Sequence, residues 1–228
     1  MIKLSKRLHA LSEMVPLGAV LADVGCDHGF IPLSLIERGC IKKAFCLDIN
    51  RGPLDRALEN ARSMAMDDKI IFIECDGMEG LKSEHGVDTA LIAGMGGKTI
   101  LHILLSAPNP VMDGIKTFIL GPQSEIALFR RCLLGEGFSI LLEKLVEENG
   151  KYYPLMLAEK KPEKFPYSEA ELYYGRHVDS GSREALSLLI GNDISTAERL
   201  LSSGKLSGEA ARHFDERLQL AKEALNAL

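Results

Sequence analysis

The sequence predicts an α/β protein in which helices cover both faces of a central, mostly parallel β-sheet. Short, continuously apolar runs alternate with helical patterns from residue 19 to about residue 137. Continuous apolar runs indicate strands buried on both faces, and strand–helix alternation gives right-handed crossovers between parallel strands. The predicted strands are 19–24, 43–48, 69–74, 89–93 and 117–120, and the predicted helices lie near 31–38, 53–66, 98–106 and 124–135.

The composition argues against several classes of protein. The 228 residues include 27 Lys and Arg against 32 Asp and Glu, for a net charge of −5, and 46% are hydrophobic. This balance argues against disorder and against indiscriminate nucleic-acid binding, although it permits a local basic patch. No apolar run is long enough for a membrane helix, and five cysteines without a CxxC pair argue against disulfides and a zinc cluster. We therefore expect a reduced, cytoplasmic protein with no metal site, no membrane contact and no obligate protein partner.

The pattern changes after Gly137. Two strand-like runs, 138–146 and 151–159, flank Asn149-Gly150, a pair that tolerates the positive φ angles of a type I′ turn. The segment is therefore predicted to be a β-hairpin. Five parallel strands closed by an antiparallel hairpin resemble the Rossmann-like sheet of class I S-adenosylmethionine (SAM) methyltransferases, whereas ordinary dinucleotide-binding folds usually end in a sixth parallel strand.

A linker is predicted at residues 160–166, because Pro162 and Pro166 exclude a continuous helix there. The expected division is a SAM-binding methyltransferase domain with an N-terminal helix over residues 1–165, and a small helical hairpin, coiled-coil-like domain over residues 166–228.

The second domain has two apolar patterns of helical period. The first runs from Leu186 to Leu201, where Gly191-Asn192-Asp193 predicts a break, and Ser207 is the expected cap of the second. Two interpretations stay open: a structural hairpin packed on the sheet domain, or an arm that grips a large substrate.

The main candidate for a binding site is the turn 23–30, Asp-Val-Gly-Cys-Asp-His-Gly-Phe, between a strand and a helix. Gly25 and Gly29 allow the backbone to approach a ligand closely. No G-x-G-x-x-G is present, because Asp27 replaces the second glycine, and this weighs against NAD and a bound pyrophosphate. SAM has no phosphate, and its sulfonium and amino groups suit the carboxylates of Asp23 and Asp27.

Carboxylates also end the next two strands. Asp48 stands where an acidic residue can accept two hydrogen bonds from a ribose diol, and Asp76 stands where the same topology places an adenine amino group. Ligands of open α/β sheets bind at this carboxyl edge. The predicted cofactor-binding residues are Asp23, Gly25, Cys26, Asp27, Asp48, Ile49, Asp76, Gly77, Ala93 and Gly94.

The fourth strand runs into Gly94-Met95-Gly96-Gly97-Lys98-Thr99. The last four of these residues, Gly-Gly-Lys-Thr, are similar to the end of a Walker A loop. That motif needs a glycine five positions before Gly97, where this chain has Ile92, and this argues against an ATPase. The small residues leave space for a planar base beside the cofactor's methyl group. The alternative for Gly96 and Gly97 is close packing of the helix on the sheet.

These segments resemble the bacterial tRNA adenine-22 N1-methyltransferases over nearly all of residues 1–160. The resemblance rests on Lys3-Leu4-Ser5-Lys6-Arg7-Leu8, Asp23-Val24-Gly25-Cys26-Asp27-His28-Gly29, Ile92-Ala93-Gly94-Met95-Gly96-Gly97 and Gly150-Lys151-Tyr152-Tyr153. It implies SAM as cofactor, tRNA as substrate and N1 of an adenine, at position 22, as methyl acceptor. The chain departs from the family at Phe30, where Tyr is usual, and at Gly121-Pro122-Gln123, where the family has Gln-Pro-Asn.

The resemblance also implies substrate-binding residues, namely Phe30, Gly94, Met95, Gly96, Pro122 and Gln123. N1 of adenine has an available lone pair, so alignment matters most, and a carboxylate can balance the cationic product. Asp27 is the first candidate for this catalytic role and Asp76 the second, while His28 either acts on the base or binds backbone. Two alternatives remain: a SAM-dependent methyltransferase of small molecules, and a non-catalytic RNA-binding module that retains the fold.

Overall fold

The computed structural model describes residues 2–204 and 206–228; Met1 and Lys205, which fall within the two predicted domains, lie outside the described residues. Seven strands of the described residues form one sheet in the order β3-β2-β1-β4-β5-β7-β6. The first five strands are parallel, and β7 runs antiparallel to both β5 and β6. The strands are β1 (Val20–Val24), β2 (Lys43–Asp48), β3 (Ile70–Glu74), β4 (Thr89–Met95), β5 (Thr117–Pro122), β6 (Ser139–Glu148) and β7 (Lys151–Glu159). The predicted fold class is confirmed.

Helices lie on both faces of the sheet, and three further helices follow its last strand in the chain. They are α1 (Lys6–Glu13), α2 (Phe30–Glu37), α3 (Arg51–Ser63), α4 (Gly97–Ser106), α5 (Asn109–Met112), α6 (Ile126–Gly135), α7 (Glu169–Tyr174), α8 (Arg183–Ser202) and α9 (Gly208–Asn226). The short helices α5 and α7 were not predicted, because segments of four and six residues are too short to show a helical period.

The sheet separates two apolar layers. Neighbouring residues of β2 enter opposite layers: Phe45 belongs to the layer that includes Ile100 and Phe118, whereas Cys46 belongs to the layer that includes Leu33 and Leu54. Because successive side chains of a strand point to opposite faces, continuous apolar runs are required when both faces are covered. This explains why the five parallel strands could be read directly from the sequence.

The strand order places a crevice at the carboxyl ends of β1 and β4. The chain moves outward from β1 to β2 and β3, and then returns to add β4 on the other side of β1. Val24, the last residue of β1, lies between Leu47 of β2 and Ile92 of β4. Helices after β1 and β4 leave on opposite faces at such a reversal, which opens the sheet edge to a ligand.

The hairpin of β6 and β7 places its turn at this same edge. Asn149 and Gly150 have φ angles of 54° and 75°, as a type I′ turn requires, and Glu148 pairs with Lys151 across it. Since β7 runs antiparallel to β5, its start lies beside the end of β5. The hairpin tip is therefore close to the crevice.

The predicted break at Gly191-Asn192-Asp193 is wrong, because α8 is continuous from Arg183 to Ser202. A glycine inside a helix costs only about 1 kcal/mol, and packing offsets this cost. Ile190 is fully buried in the cluster that includes Ala221 of α9. The Asp193 carboxylate accepts hydrogen bonds from Tyr174 Oη at 2.8 Å and Arg217 Nη2 at 3.0 Å, which fixes the segment in the helix.

A buried ion pair joins α6 and β6 to the C-terminal helices. Arg130 donates to Glu143 Oε2 from Nε at 2.9 Å and from Nη2 at 2.7 Å, and the two side chains are only 3% and 2% exposed. Its Nη1 group donates to the carbonyl oxygens of Leu172 and Tyr173 in α7. These bonds connect α7 directly to the sheet, while the domain boundary at residues 165 and 166 stays a prediction.

Candidate active site

A cavity of about 350 Å³ lies at the crevice between β1 and β4. Its lining comes from the turn after β1, the ends of β2 and β4, the loop after β5, and helix α1. Eleven predicted site residues meet there: Asp23, Gly25, Cys26, Asp27, His28, Phe30, Asp48, Ala93, Gly94, Met95 and Gln123. Two other hollows, of about 380 and 590 Å³, lie against the C-terminal helices. Unlike these two, the crevice cavity combines the switch point of the sheet with several converging carboxylates.

The turn after β1 depends on left-handed backbone conformations. Gly25 has a φ angle of 72°, and a Cβ atom there would collide with the Met95 side chain. The main-chain N–H groups of Gly25 and Cys26 both donate to the carbonyl oxygen of Leu47, at 2.8 and 3.2 Å. Glycine at position 25 therefore leaves room for the Met95 side chain, and the two hydrogen bonds hold the turn against β2.

Asp23 is a buried carboxyl group without a partner. It is 4% exposed, it lines the cavity, and no hydrogen bond or ion pair to its side chain occurs among the described residues. Burial raises the pKa of Asp23 from 3.8 to about 7, because removal from water disfavours the charged form. A positively charged ligand group in the cavity would relieve this cost.

Asp27 and His28 form the outer wall of the turn together with Phe30. The Asp27 carboxylate pairs with Arg56 Nη2 at 3.1 Å and lies 3.6 Å from His28 Nε2. The His28 ring stacks on Phe30, with centroids 5.2 Å apart and planes within 13°. The hydrogen bond from the His28 ring to backbone, which was one of its two expected roles, is absent from the described contacts. Phe30 remains 39% exposed, so an aromatic face is available at the rim of the cavity.

The other cofactor candidates divide into two groups. Asp48 lines the cavity, and its Oδ1 also accepts the Asn50 main-chain N–H at 2.9 Å, so a local turn uses part of this carboxylate. Ile49, Asp76 and Gly77 do not line the cavity as it stands. Ile49 is 60% exposed beside Asp48, and Asp76 is exposed in the loop after β3.

The end of β4 contains a bulge that creates open space. The pairing with β5 shifts between Ala93 and Met95, and Gly94, at a φ angle of 82°, sits at the bulge. A Cβ atom on Gly94 would have only Gln123 Nε2 within 4 Å, at 3.9 Å. The Gln123 N–H donates to the Met95 carbonyl oxygen at 2.8 Å, which holds the Gln123 side chain beside this space.

Gly96, Gly97 and Pro122 lie outside the cavity lining. A Cβ atom on Gly97 would come within 2.9 Å of both Phe129 Cβ and the Ser124 carbonyl oxygen, and one on Gly96 within 3.0 Å of Ser124 Oγ. These contacts show close packing of the start of α4 on α6 and on the loop after β5, whereas the alternative that the sequence left open was close packing on the sheet.

Sequence reasoning expected an N-terminal helix but missed that this helix closes one side of the cavity. Arg7, Leu8 and Leu11 of α1 belong to the lining. The Arg7 main-chain N–H donates to Glu148 Oε1 at 3.2 Å, so α1 is attached to the hairpin tip. The only signal in the sequence was the segment Lys3–Leu8 shared with the family, which does not reveal where the helix packs.

The two thiols near the turn are packing groups. Cys26 and Cys46 are both buried, and a hydrogen bond with Cys26, together with burial, raises the pKa of the Cys46 thiol. A raised pKa keeps a thiol neutral and weakly reactive. Within residues 2–204 and 206–228, no helix is long and apolar enough to cross a membrane, and no group of three or more His, Cys, Asp or Glu residues is arranged to hold a metal ion.

The chain matches a known family across most of the sheet domain. A family model described as a methyltransferase domain matches residues 4–156. The parallel sheet closed by an antiparallel hairpin, with its cavity at the switch point, is thus the Rossmann-like fold of the class I methyltransferases.

Individual relatives define the family more narrowly. The tRNA (adenine(22)-N(1))-methyltransferase of Bacillus subtilis is 33% identical over 177 residues, or 78% of this chain and 74% of that protein. The crystal structure of the B. subtilis m1A22 tRNA methyltransferase TrmK has a TM-score of 0.81 and 26% identity, and the match covers 99% of this chain and all of that one. A Streptococcus pneumoniae protein crystallised in complex with S-adenosyl-L-methionine has a TM-score of 0.85 and 28% identity, over 98% of this chain and all of that one. This chain belongs to the family of bacterial tRNA (adenine-22-N1)-methyltransferases.

We predict that Asp23 makes the ligand-free protein less stable as the pH rises. Between pH 4 and 7 the folded protein keeps a proton on Asp23 that the unfolded chain has lost, so this stabilising contribution is present at low pH and is lost as the pH rises through 7. The expected loss between pH 5 and pH 8 is about 3 kcal/mol of unfolding free energy, measured by urea unfolding.

The variant Asp23→Asn should remove this difference between pH 5 and pH 8, whereas the exposed control Asp68→Asn should keep it. An equal pH dependence in Asp23→Asn and the unchanged protein would contradict the raised pKa.

Proposed function

We propose that this protein transfers the methyl group of SAM to N1 of adenine 22 in tRNA. The observation that supports this most is the crevice cavity, which combines the buried, unpartnered carboxyl group of Asp23 with an open space at Gly94. The names and the bound ligand of its relatives favour the same substrate and cofactor. We also propose that the protein acts in the cytoplasm and needs no obligate protein partner.

The residues present fit SAM. Asp23 offers its buried carboxylate to the amino group or sulfonium, and Asp48 offers its second oxygen to the ribose hydroxyls. The exposed side chain of Ile49 provides an apolar surface for adenine, near Asp76 and Gly77. Main-chain groups of Gly25, Cys26, Ala93 and Gly94 complete the proposed set. When bound, SAM supplies an electrophilic methyl group on a sulfonium cation.

The proposed place for the target base is the space at the β4 bulge. Gly94 leaves this space open, Gln123 borders it, and Phe30 with His28 offers an aromatic face on the rim. An adenine from a tRNA stem or loop must leave its stack to enter, at a cost of a few kcal/mol. Stacking on Phe30 would recover part of this cost, and it needs no phenolic hydroxyl.

The reaction needs little from the protein besides the alignment of adenine N1 with the methyl carbon of SAM. The N1 lone pair attacks the methyl carbon directly, and correct positioning of two reactants contributes about 7–11 kcal/mol. The methylated base is cationic, so a carboxylate at the rim stabilises the developing charge or takes a proton from N6. Asp27, which forms an exposed ion pair with Arg56, is the proposed carboxylate, with His28 beside it and Asp76 farther along the sheet edge.

The experiment that tests the proposal is mass spectrometry of nucleosides from tRNA incubated with the protein and SAM. We expect 1-methyladenosine to form on a tRNA transcript with adenine at position 22, and not on the same transcript with guanine there. Another modified base, or none across a full tRNA pool, would exclude the proposed reaction. Methylation of free nucleosides or other small molecules alone would favour a small-molecule methyltransferase.

The proposed role of Asp27 predicts a loss of turnover. Asp27→Asn keeps the shape but removes the charge, so kcat for tRNA should fall by about 100-fold while KM changes little. Arg56→Met is the matched control, because it removes the other half of the ion pair and should keep most of the activity. Equal losses in the two variants would mean that the ion pair only shapes the turn.

The proposed base site predicts that Gly94→Ala affects the tRNA more than the cofactor. Both Gly94 and Gly39 have left-handed φ angles, 82° and 70°, so alanine should cost each variant about 1–2 kcal/mol of stability. Gly39 has nothing within 4 Å of an added Cβ and is absent from the cavity lining.

Only Gly94→Ala should therefore lower kcat/KM for tRNA, by about tenfold or more, with SAM affinity within about twofold of the unchanged protein by calorimetry. If the two glycine variants retain the same activity, the base does not enter at the β4 bulge.

A further inference from the structure

The loop after β5 brings a carboxamide group into the crevice cavity. Gln123 belongs to the cavity lining and is exposed. Its Nε2 atom lies 3.9 Å from the position that a Cβ atom on Gly94 would take. No hydrogen bond to the carboxamide occurs among the described residues. The donor and the acceptor of this group are therefore both available to a molecule that enters the open space at Gly94.

This loop is attached to the end of β4 and to the start of α4. The Gln123 main-chain N–H donates to the Met95 carbonyl oxygen at 2.8 Å, and the Glu125 carboxylate pairs with Lys98 Nζ at 2.6 Å. Glu125 has a left-handed φ angle of 55°, which is uncommon for residues other than glycine. Such conformations persist where the surrounding structure determines them, and they cluster at binding sites. The loop therefore holds the start of the Gln123 side chain at a defined place beside the β4 bulge.

The reaction decides which edge of the adenine ring a side chain can bind. N1 must face the methyl carbon, so it cannot accept a hydrogen bond from the protein at the same time. Beside it the base offers N6, an amino group with two hydrogens, and N7, an acceptor. A carboxamide matches the pair of N6 and N7 with two hydrogen bonds. This contact leaves N1 free and leaves the second N6 hydrogen to the carboxylate of Asp27.

The other polar side chains of the cavity fit this pair less well. The carboxylates of Asp23, Asp27 and Asp48 accept hydrogen bonds when charged but donate none, and the guanidinium group of the lining only donates. The two ring nitrogens of His28 point in different directions, so they cannot meet N6 and N7 together. Of the side chains that line the cavity in the described part of the chain, only Gln123 has a carboxamide.

We propose that the Gln123 carboxamide selects adenine as the target base: its oxygen accepts a hydrogen bond from N6, and its amino group donates one to N7. The proposal rests on the proposed function, the methylation of N1. N6 becomes more positive as N1 gains the methyl group, so its bond to the Gln123 oxygen strengthens in the transition state and raises kcat as well as affinity. Guanine has two acceptors, O6 and N7, along the same edge, which would leave the Gln123 oxygen without a donor.

The test measures kcat/KM for methyl transfer to two tRNA transcripts. One has adenine at position 22, and the other has 7-deazaadenine there, which keeps N1 and N6 but has a carbon atom in place of N7. The variants are Gln123→Met, which keeps a side chain of similar length without the amide, and Ser124→Ala as control. Ser124 is exposed in the same loop and is absent from the cavity lining. The two bases differ in reactivity, so each base is compared only with itself across the variants.

We expect Gln123→Met to lower kcat/KM for the adenine transcript by about 10- to 100-fold, the range for a lost two-bond contact with a base. With 7-deazaadenine the loss caused by this substitution should be about 3- to 10-fold smaller, because the bond to N7 is then missing in both proteins. Ser124→Ala should methylate each transcript as the unchanged protein does. The affinity of Gln123→Met for SAM, measured by calorimetry, should stay within about twofold of that of the unchanged protein.

Three outcomes would overturn the proposal. An unchanged kcat/KM in Gln123→Met would show that the carboxamide does not contact the base. Equal losses on the two transcripts would exclude the bond to N7 and place Gln123 against another part of the tRNA. Weaker SAM binding in Gln123→Met would assign the side chain to the cofactor. Failure of the proposed function is distinguishable from these outcomes, because the unchanged protein would then methylate neither transcript.

Discussion

The reversal of strand order between β1 and β4 is the constraint on which the site depends. It places the turn after β1, the end of β2 and the bulge of β4 around a single crevice. Residues far apart in the chain, such as Asp23 and Gly94, therefore meet without any long loop. Because the strands around the crevice are buried on both faces, the two apolar layers hold this geometry rigidly. A ligand at the crevice binds to a preformed site, which lowers the entropy lost on binding.

The antiparallel hairpin is the second support, because it connects parts of the chain that the parallel sheet alone would leave apart. Its tip attaches α1 through Glu148 and Tyr153. Its first strand contributes Glu143, whose buried pair with Arg130 also fixes α7. Breaking one partner of such a pair leaves an uncompensated charge, which costs about 3–5 kcal/mol. The hairpin thus determines where both the first helix and the C-terminal helices are placed around the sheet.

The parts that could be predicted are those that local pattern determines. The five parallel strands have continuous apolar runs, and Asn149-Gly150 has the backbone freedom that its turn needs. The position of α1 could not be predicted, since it depends on contacts with Glu148 and Tyr153, more than 130 residues away in the chain. Helix α8 passes through Gly191 for the same kind of reason: burial of Ile190 and the bonds of Asp193 outweigh a local preference. Tertiary contacts override propensity where enough surface is buried.

Within the site, the same reasoning separates carboxylates that look alike in the sequence. Asp27 is exposed and paired with Arg56, and Asp48 already serves a local turn through Asn50. Asp23 alone among these three combines burial with the lack of any described partner, and its raised pKa follows from that combination. A carboxyl group in such surroundings lowers the stability of the ligand-free protein when it is charged. A cationic ligand would give this group a partner and make the contact favourable. The position of an acidic residue at a strand end identifies the edge where a ligand binds, but burial and pairing decide which of the acids is left for the ligand.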